Sequence, residues 1–159
     1  MTPAVNALKQ ARVVFRLHEY RHDPATTAFG EEVVAALGVS PAVVFKTLVV
    51  ALNGDPRQLA VAILPVAAQL DLKLMARAAG VKRCELADPQ LAERTTGYVV
   101  GGISPLGQRK RLRTYLDQSA SALPALYVSA GKRGLQLELA PADLVRLTQA
   151  TVALIAERA

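Results

Sequence analysis

Lys46 is the first residue that could do chemistry, because it sits inside the most apolar run of the chain, Val43 to Leu52. Strand alternation puts it on the face shared by Val44, Leu48 and Val50. A cation there costs desolvation free energy unless it is paired or faces a cavity. Two readings follow: a cavity-facing ammonium that meets a ligand, or an edge-strand lysine that discourages aggregation. The second feature is the loop Gly101-Gly102-Ile103-Ser104-Pro105-Leu106-Gly107. Three glycines allow close backbone approach, with amide N–H groups free for an anion or an oxyanion. The run is neither a Walker A loop nor a dinucleotide fingerprint, since no Gly-Lys-Ser/Thr follows and no helix opens from it. An ordinary wide turn would look the same.

Two basic clusters come next. Arg109, Lys110, Arg111 and Arg113 follow the glycine loop directly, and four cations in five residues suit a phosphate backbone or a solvated loop. Ser129-Ala130-Gly131-Lys132-Arg133-Gly134 reads as a hairpin with a hydroxyl donor and two cations at its tip. Other chemistries are set aside. His18 and His22 lack a third ligand for a metal site. Cys84 follows Lys82-Arg83 without a Cys-His constellation and reads as a structural cysteine. No paired carboxylates announce acid–base catalysis; Asp71, Asp88 and Asp143 read as helix-start caps.

The elements that must position these residues are legible in outline. Thr2-Pro3 opens a helix to about Arg12, and Arg16 to Tyr20 is a short strand. Gly30 to Leu37 is a helix stopped by Gly38. Val43 to Leu52 and Gln58 to Leu64 form a hairpin about the turn Asn53-Gly54-Asp55-Pro56. Asp71 to Ala79 is a helix closed by Gly80, and Asp88-Pro89 caps another to about Thr95. Tyr98 to Val100 is read as a strand leading into the glycine loop, with further strands at Leu126 to Ser129 and Leu135 to Leu139. Pro141 opens a last helix, with Leu144, Leu147, Val152 and Ile155 for its buried face. Strands and helices intermix from end to end, so residues 1–159 are expected to form one mixed α/β domain.

Bulk properties narrow the function. The chain has 159 residues, 52% hydrophobic and 20% charged, which excludes a disordered chain. Aromatics are 4% with no Trp, which counts against a single-strand binder built on stacking platforms. Nineteen Lys and Arg against thirteen Asp and Glu give a net charge of +6, as for a polyanion-binding domain or a basic soluble protein. One cysteine excludes an internal disulfide and suits a reducing compartment. With no spanning run and no secretory signal pattern, the expected location is cytoplasmic.

Thr2-Pro3-Ala4-Val5, Phe45-Lys46-Thr47-Leu48, Gly97-Tyr98-Val99-Val100-Gly101-Gly102-Ile103-Ser104-Pro105 and Ser129-Ala130-Gly131-Lys132-Arg133-Gly134 occur in the order found in the YbaK group of trans-editing deacylases. The resemblance is collinear over essentially the whole chain, and Gly-Gly-Ile-Ser-Pro-Leu-Gly is its most specific motif. It implies a mixed sheet curled into a partial barrel surrounded by helices. It also implies hydrolysis of Cys-tRNA(Pro), or in related branches of alanine or another small residue, from tRNA(Pro) mischarged by prolyl-tRNA synthetase. The resemblance implies Lys46 and Gly101 as the catalytic positions. Around the substrate it implies Tyr20, Phe29, Thr47, Gly102, Ile103, Ser104, Ser129 and Gly131. Arg109, Lys110, Arg111, Arg113, Lys132 and Arg133 are the expected tRNA contacts. No metal and no cofactor is expected. Some relatives carry an acidic residue where this chain has Gln136, and Phe45 stands where relatives have tyrosine. A non-catalytic tRNA- or synthetase-binding module on the same fold, or a small-molecule or nucleotide-binding protein using the glycine loop for phosphate, are the alternative functions.

Overall fold

Strand β3 (Leu59–Pro65) is buried at every position and forms the middle of the molecule in the computed structural model, which describes residues 1–157. It pairs antiparallel with β2 (Phe45–Leu52) and parallel with β5 (Arg113–Asp117). β4 (Cys84–Leu86) joins the far end of β2, and β8 (Thr151–Ala153) lies parallel to β5, giving the order β4-β2-β3-β5-β8. A second antiparallel sheet has the order β1-β7-β6, from β1 (Phe15–Glu19), β7 (Leu135–Leu139) and β6 (Leu126–Lys132). Among the described residues the strands therefore form two sheets and no closed barrel. Among the described residues the sheets are joined by one parallel bridge, Val44 opposite Tyr127.

Helix α1 (Pro3–Gln10) starts as its sequence dictates. Thr2 accepts the Val5 N–H and donates its hydroxyl to the Ala130 carbonyl at 2.6 Å, which ties the N-terminus to β6. α2 (Phe29–Leu37) ends on Gly38 in the left-handed region. Asp71 caps α3 (Leu72–Ala79), and Asp88 caps α4 (Pro89–Thr96). α5 (Pro141–Thr148) is shorter than expected: Gln149 takes φ 55° and ends it, so Val152 and Ile155 lie beyond the helix. Ala140, not Asp143, is its N-cap; Asp143 lies in the first turn and pairs with Arg146. Tyr98 to Val100 is not a strand. It is a bend that leaves α4 for the glycine loop, and the Tyr98 hydroxyl donates to the Leu106 carbonyl at 2.6 Å to close that loop.

The two faces of the five-stranded sheet carry separate apolar clusters. One, with Val5, Leu8, Phe45, Val49, Ile63, Leu126, Leu137 and Leu144, fills the space between the sheets and α1, α4 and α5. The other, with Val50, Leu52, Leu64, Met75, Cys84, Tyr115 and Ile155, lies under α3. Each such buried side chain contributes roughly 1.5–3 kcal/mol. Among the described residues no helix is long and apolar enough to cross a membrane.

Asp117 fastens the C-terminal segment. Its side chain is fully buried and accepts the N–H groups of Ile155 and Ala156, each at 3.1 Å. Burial pushes the carboxyl up, but hydrogen bonds from Ser119 and from those backbone N–H groups outweigh it and hold it below the ordinary range. A depressed folded value means stabilisation that is complete above the unfolded-chain value, about pH 4, and lost as pH falls through the folded value. Asp117→Ala is expected to cost about 2–4 kcal/mol at pH 7 in urea unfolding. It should also flatten the loss of stability on the acid side.

Candidate functional site

β2 is the element that makes the site. The Val66 N–H donates to the Val44 carbonyl and the Leu52 N–H to the Gln58 carbonyl, so even-numbered residues of β2 bond to β3. Odd-numbered residues turn their backbone groups to the other edge. There Tyr127 donates to the Val43 carbonyl at 2.9 Å at one end, and Ala87 donates to the Val49 carbonyl at 2.9 Å at the other. Between these attachments, among the described residues, no strand lies against the Thr47 edge. A cavity of about 430 Å³ opens at this fork, walled by Phe29, Val33, Leu86, Ala87, Ala92, Ile103 and β2 itself.

Four kinds of polar group interrupt that carbon wall. Lys46 lies on the face with Leu48 and Val50, half-buried, and makes no hydrogen bond or ion pair among the described residues. Burial alone holds its ammonium below the ordinary lysine range. The Thr47 hydroxyl is buried without a partner, and so is the Gln136 side-chain oxygen. Ser129 lies opposite Gln136 in the β6–β7 ladder and accepts the Gly131 N–H. The Gly101 N–H is likewise without an acceptor among the described residues, whereas the next amide, Gly102, donates to the Val99 carbonyl at 2.8 Å. Gly101 has φ +87°, and a Cβ there would stand 2.7 Å from the Phe29 ring, so only glycine fits. Among the described residues no carboxylate, imidazole or thiol lines the cavity.

The structure therefore gathers Lys46, Gly101, Phe29, Thr47, Ile103 and Ser129 into one cavity. It does not bring Tyr20, Gly102, Ser104 or Gly131 to the wall. Ser104 is fully buried and its hydroxyl accepts the Leu106 N–H inside the loop. Gly102 packs against the Lys132–Arg133 backbone, and Gly131 against Tyr98 and Thr2. Tyr20 is half-buried, its N–H donating to the Gly134 carbonyl. Gln136 is a lining residue, and nothing in one sequence could show that its amide oxygen would be left unpaired.

The basic clusters divide. Lys132 and Arg133 are exposed beside the cavity, and the Arg133 guanidinium donates to the Val100 carbonyl and lies over the Phe29 ring. Lys110, Arg111 and Arg113 instead line a groove of about 650 Å³ with Arg57, at the far end of the β2–β3 hairpin. Lys46 and Leu52 are separated by about 20 Å of strand, at about 3.3 Å per residue. Arg109 turns the other way, donating to the Arg94 carbonyl. His18 and His22 pair with Glu138 and Glu32, and no metal-binding cluster occurs among the described residues. Cys84 is buried and free.

A cavity with a bare ammonium, an amide donor without an acceptor among the described residues, and apolar walls has the groups to hold a small acyl or phosphate-bearing ligand. The comparisons agree with that reading. A family model for the aminoacyl-tRNA editing domain matches residues 22–147. A protein of Enterococcus faecalis (strain ATCC 700802 / V583), EbsC, carries the provisional name Cys-tRNA(Pro)/Cys-tRNA(Cys) deacylase. It is 39% identical over 147 residues, covering 92% of this chain and 88% of its own. The crystal structure of a hypothetical protein, APE2540, superposes with a TM-score of 0.87 at 27% identity, over 98% of this chain and 100% of that one. A structure provisionally described as a trans-editing enzyme for prolyl-tRNA synthetase has a TM-score of 0.81 at 24% identity, over 99% of both chains, and shows the shared fold. The chain belongs to the aminoacyl-tRNA editing domain family.

Polar groups left unpaired in a folded protein cost stability, so their removal is informative. Thr47→Val deletes a buried orphan hydroxyl and is expected to leave stability unchanged or raise it by up to about 1 kcal/mol. Lys46→Met removes a desolvated charge and should raise the melting temperature at pH 7. Differential scanning calorimetry checks both; a drop in melting temperature would show that these groups have partners in the fold.

Proposed function

We propose that this protein hydrolyses the aminoacyl ester of mischarged tRNA(Pro), with cysteine as the amino acid removed. The observation that carries this reading is the cavity's polar inventory among the described residues: an unpaired ammonium, an unpaired Gly101 amide donor, and no carboxylate or imidazole to activate the Thr47 and Ser129 hydroxyls. An aminoacyl ester is already an activated carbonyl and needs stabilisation of its oxyanion more than a protein nucleophile. The Gly101 N–H and Lys46 would supply that stabilisation, each donor contributing on the order of 100-fold or more. Family membership and the name of the Enterococcus faecalis relative, 39% identical, support the substrate class.

The attacking group is the substrate's own thiol. Its sulfur bonds to the ester carbonyl carbon, the carbon–oxygen bond to the ribose breaks, and the thiol proton ends on the ribose oxygen. Water then opens the released cyclic thioester to free cysteine. The apolar walls hold sulfur and carbonyl close, which supplies proximity in place of a catalytic side chain. The groove of Lys110 and Arg57, in which Arg111 and Arg113 are already tied to the Leu147 and Ala79 carbonyls, would take the phosphate backbone of the acceptor stem. These few cations read charge and not sequence, so we assign the choice of tRNA(Pro) to prolyl-tRNA synthetase in a transient complex.

Single-turnover deacylation of Cys-tRNA(Pro), Ala-tRNA(Pro) and Cys-tRNA(Cys) tests the reading. The wild type should release cysteine, and Lys46→Ala should lower that rate by about 100-fold or more. Release of alanine at a rate matching cysteine would exclude attack by the substrate thiol. No release from any of the three would leave a binding module without this activity. In a companion measurement, Lys110→Glu with Arg57→Glu should weaken binding of uncharged tRNA(Pro) and reduce its salt dependence by about one unit of slope per lost phosphate contact.

A further inference from the structure

Both backbone groups of Val100 are held by charged side chains from different parts of the fold. Its N–H donates to the Glu93 carboxylate of α4 at 2.8 Å. Its carbonyl accepts two bonds from Arg133, at the β6–β7 turn: from Nε at 2.9 Å and from Nη2 at 2.6 Å. The Arg133 guanidinium also stacks over the Phe29 ring of α2, 4.8 Å from its centroid. Three elements therefore converge on Val100 at the cavity wall: Glu93 holds the Val99–Val100 peptide, and Arg133, stacked on Phe29, holds the peptide that follows.

That peptide links Val100 to Gly101. A trans peptide is planar, and its C=O and N–H point in opposite directions within one rigid unit. A grip on the Val100 oxygen therefore fixes the direction of the Gly101 N–H. The Gly101 N–H has no acceptor among the described residues, and Gly101 lines the cavity. We propose that Arg133 is a positioning residue, holding the Val100–Gly101 peptide so that the Gly101 N–H is presented unpaired to the carbonyl oxygen of the bound ester. The inference rests on the deacylase reading above and assigns within it a role that differs from a phosphate contact. Two of the guanidinium's N–H groups and its face are already engaged, and a phosphate would have to compete for them. Lysine cannot substitute, because it keeps the charge but lacks both the fork and the flat face.

The experiment compares wild type, Arg133→Lys and Arg133→Ala by single-turnover deacylation of Cys-tRNA(Pro), by binding of uncharged tRNA(Pro) over a salt series, and by the ¹⁵N–¹H resonance of Gly101 in the free protein. Both variants should lower the chemical rate by about 100-fold, leave the tRNA(Pro) dissociation constant and its salt slope unchanged, and shift the Gly101 amide resonance. Millimolar guanidinium should restore part of the rate to Arg133→Ala and none to Arg133→Lys. An Arg133→Lys variant with the wild-type rate would overturn the proposal. So would an Arg133→Ala variant that loses tRNA affinity with a slope reduced by about one, or one whose Gly101 resonance does not move. If the wild type deacylates nothing, the deacylase reading fails by itself, while the Gly101 resonance still decides whether Arg133 sets that peptide.

Discussion

The rest of the structure depends on an incomplete strand edge. β2 is paired along its whole length on the β3 side but only at its two ends on the other side, by Tyr127 and by Ala87 with β4. A sheet that ran on through this edge would satisfy Thr47 and leave no cavity. The break lets the two sheets diverge, and their divergence is the site. It also explains why the large core cluster is needed on the closed face. Phe45 and Val49 pack into that cluster while also lining the cavity, so the open edge is held without a neighbouring strand. Packing and the pairing with β3 hold the strand, which frees its other edge for a ligand.

That arrangement carries a cost in polar groups. Lys46, Thr47 and Gln136 are withdrawn from water without partners in the described fold. Folded chains normally avoid this, and clusters of such groups mark places where a ligand completes the hydrogen bonding. On the proposed reading the ester carbonyl and terminal ribose are that completion. The glycine loop answers to the same demand. Tyr98, Ser104 and Gln108 are spent holding the loop in shape, through bonds to Leu106, to the Leu106 N–H and to the Ser104 carbonyl respectively. Gly101 is presented to the cavity with an amide that has no acceptor among the described residues.

Much of this was legible in the sequence, for reasons that can be named. The β2–β3 hairpin follows from two apolar runs about Asn53-Gly54, and Lys46 stood out because a charge inside such a run has few explanations. Helix starts at Thr2, Asp71 and Asp88 are local, so one chain reveals them. β4, β5 and β8 are three to five residues long and are strands only because a neighbour pairs with them, which no local pattern reports. Tyr98 to Val100 has strand composition, yet Tyr98 is used to close a loop. The basic run after the glycine loop looked adjacent to the site. Chain proximity misled there, because the loop turns back along β5 and carries Lys110, Arg111 and Arg113 to the opposite end of β2. The fork in the sheet, which matters most, is invisible in sequence because it is defined by strands that stop.

The most direct test of this account is the titration of the Lys46 side chain by ¹³C or ¹⁵N spectroscopy, first in the free protein and then with a non-hydrolysable 3′-cysteinyl-amide analogue of the tRNA terminus. The account predicts a free-state value below the ordinary lysine value of about 10.4, because the ammonium is desolvated and unpaired. It predicts a rise on binding, as the ligand's oxygens supply the missing partner. An ordinary value in the free protein that does not move when the analogue binds would contradict it.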